Sequence, residues 1–257
     1  MRCVAFLSCG RGSLGSGLPR AALMVSCLVL TACTSAPKPI AHAVAPQSPS
    51  KDKGQKADAT TQPGPSEAHA AALEQLTVAA MGSRSDREKT ISVPLPDRGS
   101  WRRVRFLGVK SLVGWRYGTE HHGVVGAFVM DVKNHTPERC HEAFEAWAKP
   151  WLEVFDVRFE IGKPVGFVWR NTIKPSEPPE VLSAVTLHAS TSSLMAQESY
   201  HATYAIYPAW PDKCLVIGMA TAARGEDERA RKARDRFAKD VFSSVELTSE
   251  TPPTKAY

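Results

Sequence analysis

Two adjacent histidines, His121 and His122, follow Glu120, and His135 and His141 lie within the next twenty residues. Imidazole nitrogens bind zinc and copper, but a site needs about three ligands converging on one point. Neighbouring side chains on a strand point to opposite faces, so His121 and His122 can share an ion only in a loop. Gly118 and Gly123 flank the pair and permit one. No HExxH pattern is present. The reading is a polar hairpin turn with no cofactor, and metal ligation by His121 and His122 is its alternative. Nucleophilic chemistry finds less. Ser190, Ser192 and Ser193 sit in a Ser/Thr-rich turn without a GxSxG elbow. GVVGAF lacks the glycine pattern of a phosphate loop, and Glu177, Glu180, Asp212 and Glu226 show no paired-carboxylate spacing. No catalytic residue is assigned; whether the chain is an enzyme stays open, with a non-enzyme the preferred reading.

Stronger signals concern where the chain resides. Residues 1–32 contain Arg2, Arg11 and Arg20 and no acidic residue, and an apolar segment runs from Ala21 to Leu30. A basic start, a short apolar stretch and a small-residue boundary are the parts of a secretory signal. The apolar stretch falls well short of the roughly twenty residues a spanning helix needs. Leu30-Thr31-Ala32-Cys33 then resembles the lipobox of bacterial lipoproteins. That resemblance implies a diacylglyceryl group on Cys33, cleavage before it, and a membrane anchor at the mature N-terminus. The basic region is long for such a signal, so the true start is expected at or downstream of Met1, but before Met24. By the same resemblance, Thr34 in place of the Asp that retains enteric lipoproteins in the inner membrane implies the outer membrane, with the protein facing the periplasm.

Charge and cysteine use agree with export. The whole chain carries +6, and loss of the three signal arginines leaves +3. That balance, in an exported chain, gives nucleic-acid binding no support. Of six cysteines, Cys3, Cys9 and Cys27 leave with the signal and Cys33 takes the lipid. Cys140 and Cys214 remain, an even pair in an oxidising compartment, and a disulfide is the expected outcome.

Residues 34–66 are rich in Ala, Pro, Ser, Lys, Gln and Thr and contain no aromatic residue. Such a tract cannot bury a core and reads as disordered. Ser66 precedes an Ala/Leu-rich stretch that predicts a short helix over 67–81 within the tether 33–85. The folded domain is expected over 86–250, followed by a disordered tail, 251–257. All six tryptophans lie beyond residue 100.

Within the domain, Gly123–Asp131 and Cys214–Thr221 are almost wholly apolar and predict central strands buried on both faces. Strands are also expected at Val165–Ile173, Val181–Ala189 and Ser199–Tyr207, with an early hairpin from Trp101–Phe106 and Val109–Tyr117. Cys140, Phe144, Trp147 and Trp151 recur at helical spacing after Thr136-Pro137, and Pro150 should end or kink that helix. Ala230, Ala233, Phe237 and Val241 mark one face of a second helix over Glu226–Val241. A short strand, Val245–Leu247, follows. The prediction is an α+β fold, a mainly antiparallel sheet with two helices packed on it. The order, and the ending CLVIGMATAARGEDERARKARDRFAKDVFSSVEL, loosely resemble the PsbP-like fold of extrinsic photosystem proteins and related bacterial lipoproteins. That resemblance implies binding and assembly roles.

Tyr200, Tyr204, Tyr207 and Trp210 cluster with Pro208 and Pro211 near a strand end. They read as core packing, with a partner surface as the alternative. The basic residues of the last helix are interleaved with acids and read as a solvated face. The functional reading is a lipid-anchored envelope protein with a binding or assembly module and an envelope protein as partner. A small metal-dependent envelope enzyme using His121 and His122 is the alternative.

Overall fold

The computed structural model describes residues 65–104, 113–154, 157–191 and 198–252. The signal segment, Cys33, most of the tether, Ser192, Ser193 and the end of the tail lie outside the described residues.

A large antiparallel sheet forms the centre. It contains β3 (Trp101–Val104), β4 (Val113–Tyr117), β5 (Gly123–Asp131), β6 (Val157–Ile161), β7 (Val165–Trp169), β8 (Glu180–Thr191), β9 (Glu198–Trp210) and β10 (Lys213–Ala222). The order is β3-β4-β5-β10-β9-β8-β6, and β7 pairs with the first part of β8. Every pairing is antiparallel. The apolar runs of β5 and β10 lie side by side in the middle, with Gly126 opposite Gly218.

Alternation along these strands builds two cores. On one face, Val124, Phe128, Tyr204, Val216 and Ala220 meet α2 (Pro137–Val154), which contributes Cys140, Phe144 and Ala148. Phe144 is fully buried, 5.2 Å from the Tyr204 ring. On the other face, Val125, Ala127, Tyr207, Leu215 and Ile217 meet α1 (Pro65–Val78) and α3 (Asp227–Arg236). α3 continues into a π-helical turn, Phe237–Val241. This wider turn brings Phe237 and Phe242 into edge-to-face contact, so both are buried.

Three features differ from the sequence-based expectation. The helix assigned to the tether runs from Pro65 to Val78 and belongs to the fold, because Leu73 and Leu76 are buried against α3. Among the described residues, three helices therefore pack on the large sheet. Arg236 donates to the Leu76 and Ala79 carbonyls, at 3.0 and 2.7 Å, satisfying backbone acceptors left over at the end of α1. A second sheet, β1 (Met81–Ser85), β2 (Ile91–Pro96) and β11 (Glu246–Leu247), closes the same side. Pro94 and Pro96 conceal β2, since prolines argue against a central strand. They are tolerated because β11 reaches only Ile91 and Ser92, leaving that edge of β2 open beside the prolines. Finally, α2 continues past Pro150 to Val154. Ala146 and Pro150 both lie on the exposed face, where water can satisfy the Ala146 carbonyl that the proline leaves without a donor.

Cys140 and Cys214 form a disulfide with Cα atoms 5.8 Å apart, tying the start of α2 to the start of β10.

Candidate functional site

The β8–β9 pairing sets His188 directly opposite His201. Residues paired in this way share a sheet face, and the rings stack with centroids 4.7 Å apart and an 18° interplanar angle. The face is the one crossed by α3, whose first residue is Asp227. His201 Nε2–H donates to Asp227 Oδ1 at 3.1 Å. One nitrogen from each ring and one oxygen of Asp227 lie within 4.8 Å of one another. His201 is 5% exposed, His188 is half-buried and Asp227 is exposed. His188 Nε2 and His201 Nδ1 are buried with no hydrogen-bond partner among the described residues. Burial pushes the His201 pKa down, the Asp227 carboxylate opposes this, and His188 and Arg234 add to the depression. The ring is therefore held neutral, with a lone pair available.

A second histidine pair lies where α1 meets the turn after β4. His69 Nε2–H donates to the Ala222 carbonyl at 2.9 Å. A neutral His69 then presents a bare Nδ1, which accepts from His122 Nδ1–H at 2.7 Å. Both side chains are buried. Burial, and then the neighbouring His69, push His122 down to about 4; burial lowers His69 as well. Gly118, at φ +68°, makes the turn possible, because a Cβ there would stand 2.7 Å from His122 Cδ2.

His121 and His122 do not converge. His121 Nε2 is 2.6 Å from Arg116 Nη1, which donates to it, and His121 Nδ1 is buried with no hydrogen-bond partner among the described residues. His122 turns instead to His69. Glu177 pairs with Lys174, Glu226 with Arg229, and Asp212 accepts from the Asn134 N–H.

The aromatic cluster packs within the cores. Tyr200, Tyr204, Tyr207 and Trp210 are 3%, 1%, 0% and 1% exposed. They lie along β9, a strand flanked on both sides, and alternation distributes them between the two cores. Tyr207 donates to the Phe242 carbonyl and Trp210 Nε1–H to the Ser249 carbonyl. The large exposed apolar side chains are elsewhere, at Val78, Ile161, Val168 and Val181.

His188 stands out in the alternating pattern of its strand, but the chain gives no local sign that His201 and Asp227 join it. The available signal is symmetry: His188 lies three residues before the end of β8 and His201 three after the start of β9, so antiparallel pairing of those two strand ends opposes them.

Among solved structures, the chain is similar to cyanobacterial PsbP (CyanoP) from Synechocystis sp. PCC 6803. Identity is 14% and the TM-score 0.45, covering 66% of this chain and 94% of that one. It is also similar to LpqN, a protein involved in cell envelope biogenesis of Mycobacterium tuberculosis. Here identity is 14% and the TM-score 0.38, covering 66% and 91% of the two chains. No family model and no curated protein matches the sequence.

Proposed function

We propose that this chain is a lipid-anchored protein of the bacterial cell envelope whose α+β domain is a binding or assembly module. The observation that carries the reading is the Cys140–Cys214 disulfide. Such bonds persist in oxidising compartments, which a chain reaches by export. The signal-like first 32 residues and the lipobox-like Leu30-Thr31-Ala32-Cys33 supply the route and the anchor. A partner surface is supported at β7, on the edge of the large sheet among the described residues. There Val168 and Val181 face each other across β7 and β8, 58% and 80% exposed. Exposed apolar pairs on a sheet edge suit contact with another protein.

The test is Cys33→Ser in the full chain. Fatty-acid labelling and membrane fractionation should both be lost, with the folded domain intact by circular dichroism. A variant that still labels and pellets with membranes would refute the anchor. In cells, a photo-cross-linking residue at Val181 should give a discrete protein adduct, and one at Glu228 should not. Equal labelling from both positions would remove the β7 edge as the contact surface.

A further inference from the structure

We propose that His188, His201 and Asp227 form a binding site for a late first-row divalent metal ion, with zinc the ion best suited to it.

Three elements converge on the site. The β8–β9 register places the two imidazoles side by side on one face, and the first turn of α3 brings a carboxylate across that face. Two imidazoles and one carboxylate are a donor set for zinc, iron(II), nickel or copper rather than calcium or magnesium, which prefer all-oxygen sites.

The hydrogen-bond accounting points to the same place. Buried ring nitrogens are normally partnered, yet His188 Nε2 and His201 Nδ1 each lack a partner among the described residues. These orphans belong to two stacked rings whose nitrogens and the Asp227 oxygen already lie within 4.8 Å of one another. A bound cation satisfies the His188 Nε2 lone pair, which no donor reaches, and His201 turns its Nε2 lone pair to the ion when its proton sits on Nδ1.

The spacing is close to what a metal needs. Zinc–ligand bonds of about 2.0–2.1 Å in a tetrahedron hold ligand atoms about 3.4 Å apart. His201 Nε2 and Asp227 Oδ1, at 3.1 Å, are already near that separation. The remaining closure falls to His188 and Asp227, the two more accessible members. Arg234, whose charge would repel a cation, donates to Asp235 and to the Leu187 carbonyl. Three protein ligands with an exposed flank leave a fourth position for water or for a ligand group from a partner. Glu160 is the β6 residue paired with His188, on the same face, and can contribute from that side.

The consequence is a crosslink between α3 and the sheet that exists only when metal is bound. Because the ion binds the folded state, it stabilises that state by mass action. This site does not depend on the envelope assignment, and its failure would leave that assignment standing.

The test uses the full chain without a histidine tag, stripped with chelator and then titrated with Zn²⁺ and separately with Co²⁺. One equivalent should bind, Co²⁺ should give the visible absorption of a four- or five-coordinate nitrogen/oxygen site, and Zn²⁺ should raise the Tm. His188→Ala and Asp227→Asn, both at accessible positions, should each weaken binding by about tenfold or more. His135→Ala, outside the site, should not. A native circular dichroism spectrum for each variant separates loss of ligand from loss of fold. Absence of stoichiometric binding overturns the site. Binding that His188→Ala and Asp227→Asn leave unchanged overturns it equally, as an adventitious ion only.

Discussion

The buried histidines make stability depend on pH. His122 is pushed down to about 4, first by burial and then by His69, and burial lowers His69, His121, His141 and His201 in the same direction. Around the His69–His122 pair, Arg224 opposes protonation and Glu120 and Glu198 favour it, but burial prevails. A group whose folded pKa lies below its unfolded value binds fewer protons folded than unfolded. Its stabilising effect is complete above about pH 6.5 and is lost as pH falls toward the folded value. The Tm should therefore fall steadily from pH 6.5 to about 4.5, a range above most carboxylate titrations. His122→Gln should flatten part of that fall. A Tm that is constant or rises on acidification through this range would contradict the buried, neutral pair. None of this was legible in the sequence, where His69 and His122 are 53 residues apart and His122 invites a reading with its neighbour His121. Cys140 and Cys214 were legible, because compartment and residue count fixed the pair before geometry did.

At the scale of elements, the strongest periodic signals were read correctly. The apolar runs of β5 and β10 are central strands, and the stripes through Phe144 and through Phe237 face the cores. The misses have physical causes. α1 is short of apolar residues and cannot stand alone, so its sequence looks like linker; its stability comes from α3 and from Arg236 at its C-terminal carbonyls. β1 has almost no apolar character, and β2 is broken by Pro94 and Pro96. Two predictions follow from the placement of α1. Leu76→Ala should cost about 2–5 kcal/mol, as buried leucine truncations do, and Arg236→Ala should cost about 1–3 kcal/mol for charged hydrogen bonds lost. Both are measured by denaturant unfolding. Deleting residues 34–64 should leave the midpoint unchanged, whereas deleting through Val78 should lower it. Equal midpoints for the two truncations would return α1 to the tether.

At the scale of the molecule, one sheet carries a core on each face, and the disulfide joins α2, packed on one face, to the central strand β10. The bond spans a sequence separation of 74 residues. Loop-closure entropy for that length gives roughly 4 kcal/mol, an upper figure. Reduction should lower the unfolding midpoint accordingly, and no loss at all would show that the unfolded chain gains nothing from release. With α1 inside the fold, about thirty residues separate Cys33 from the domain. As a flexible coil they would span about 30 Å, and the proposed anchor on Cys33 would then let the domain reach a partner away from the lipid surface. The mainly antiparallel character of the large sheet was readable from strand patterning; its strand order and β6 were not, and the aromatic cluster could not be assigned because residues that favour interfaces favour cores equally. The intact mass of protein purified from the membrane fraction tests most directly whether the chain is exported, lipid-anchored and disulfide-bonded. The expected species begins at Cys33, carries the added mass of a diacylglyceryl lipid, and takes up no alkylating agent until it is reduced. A chain that retains residues 1–32, lacks lipid, or is alkylated at Cys140 and Cys214 without reduction would contradict it.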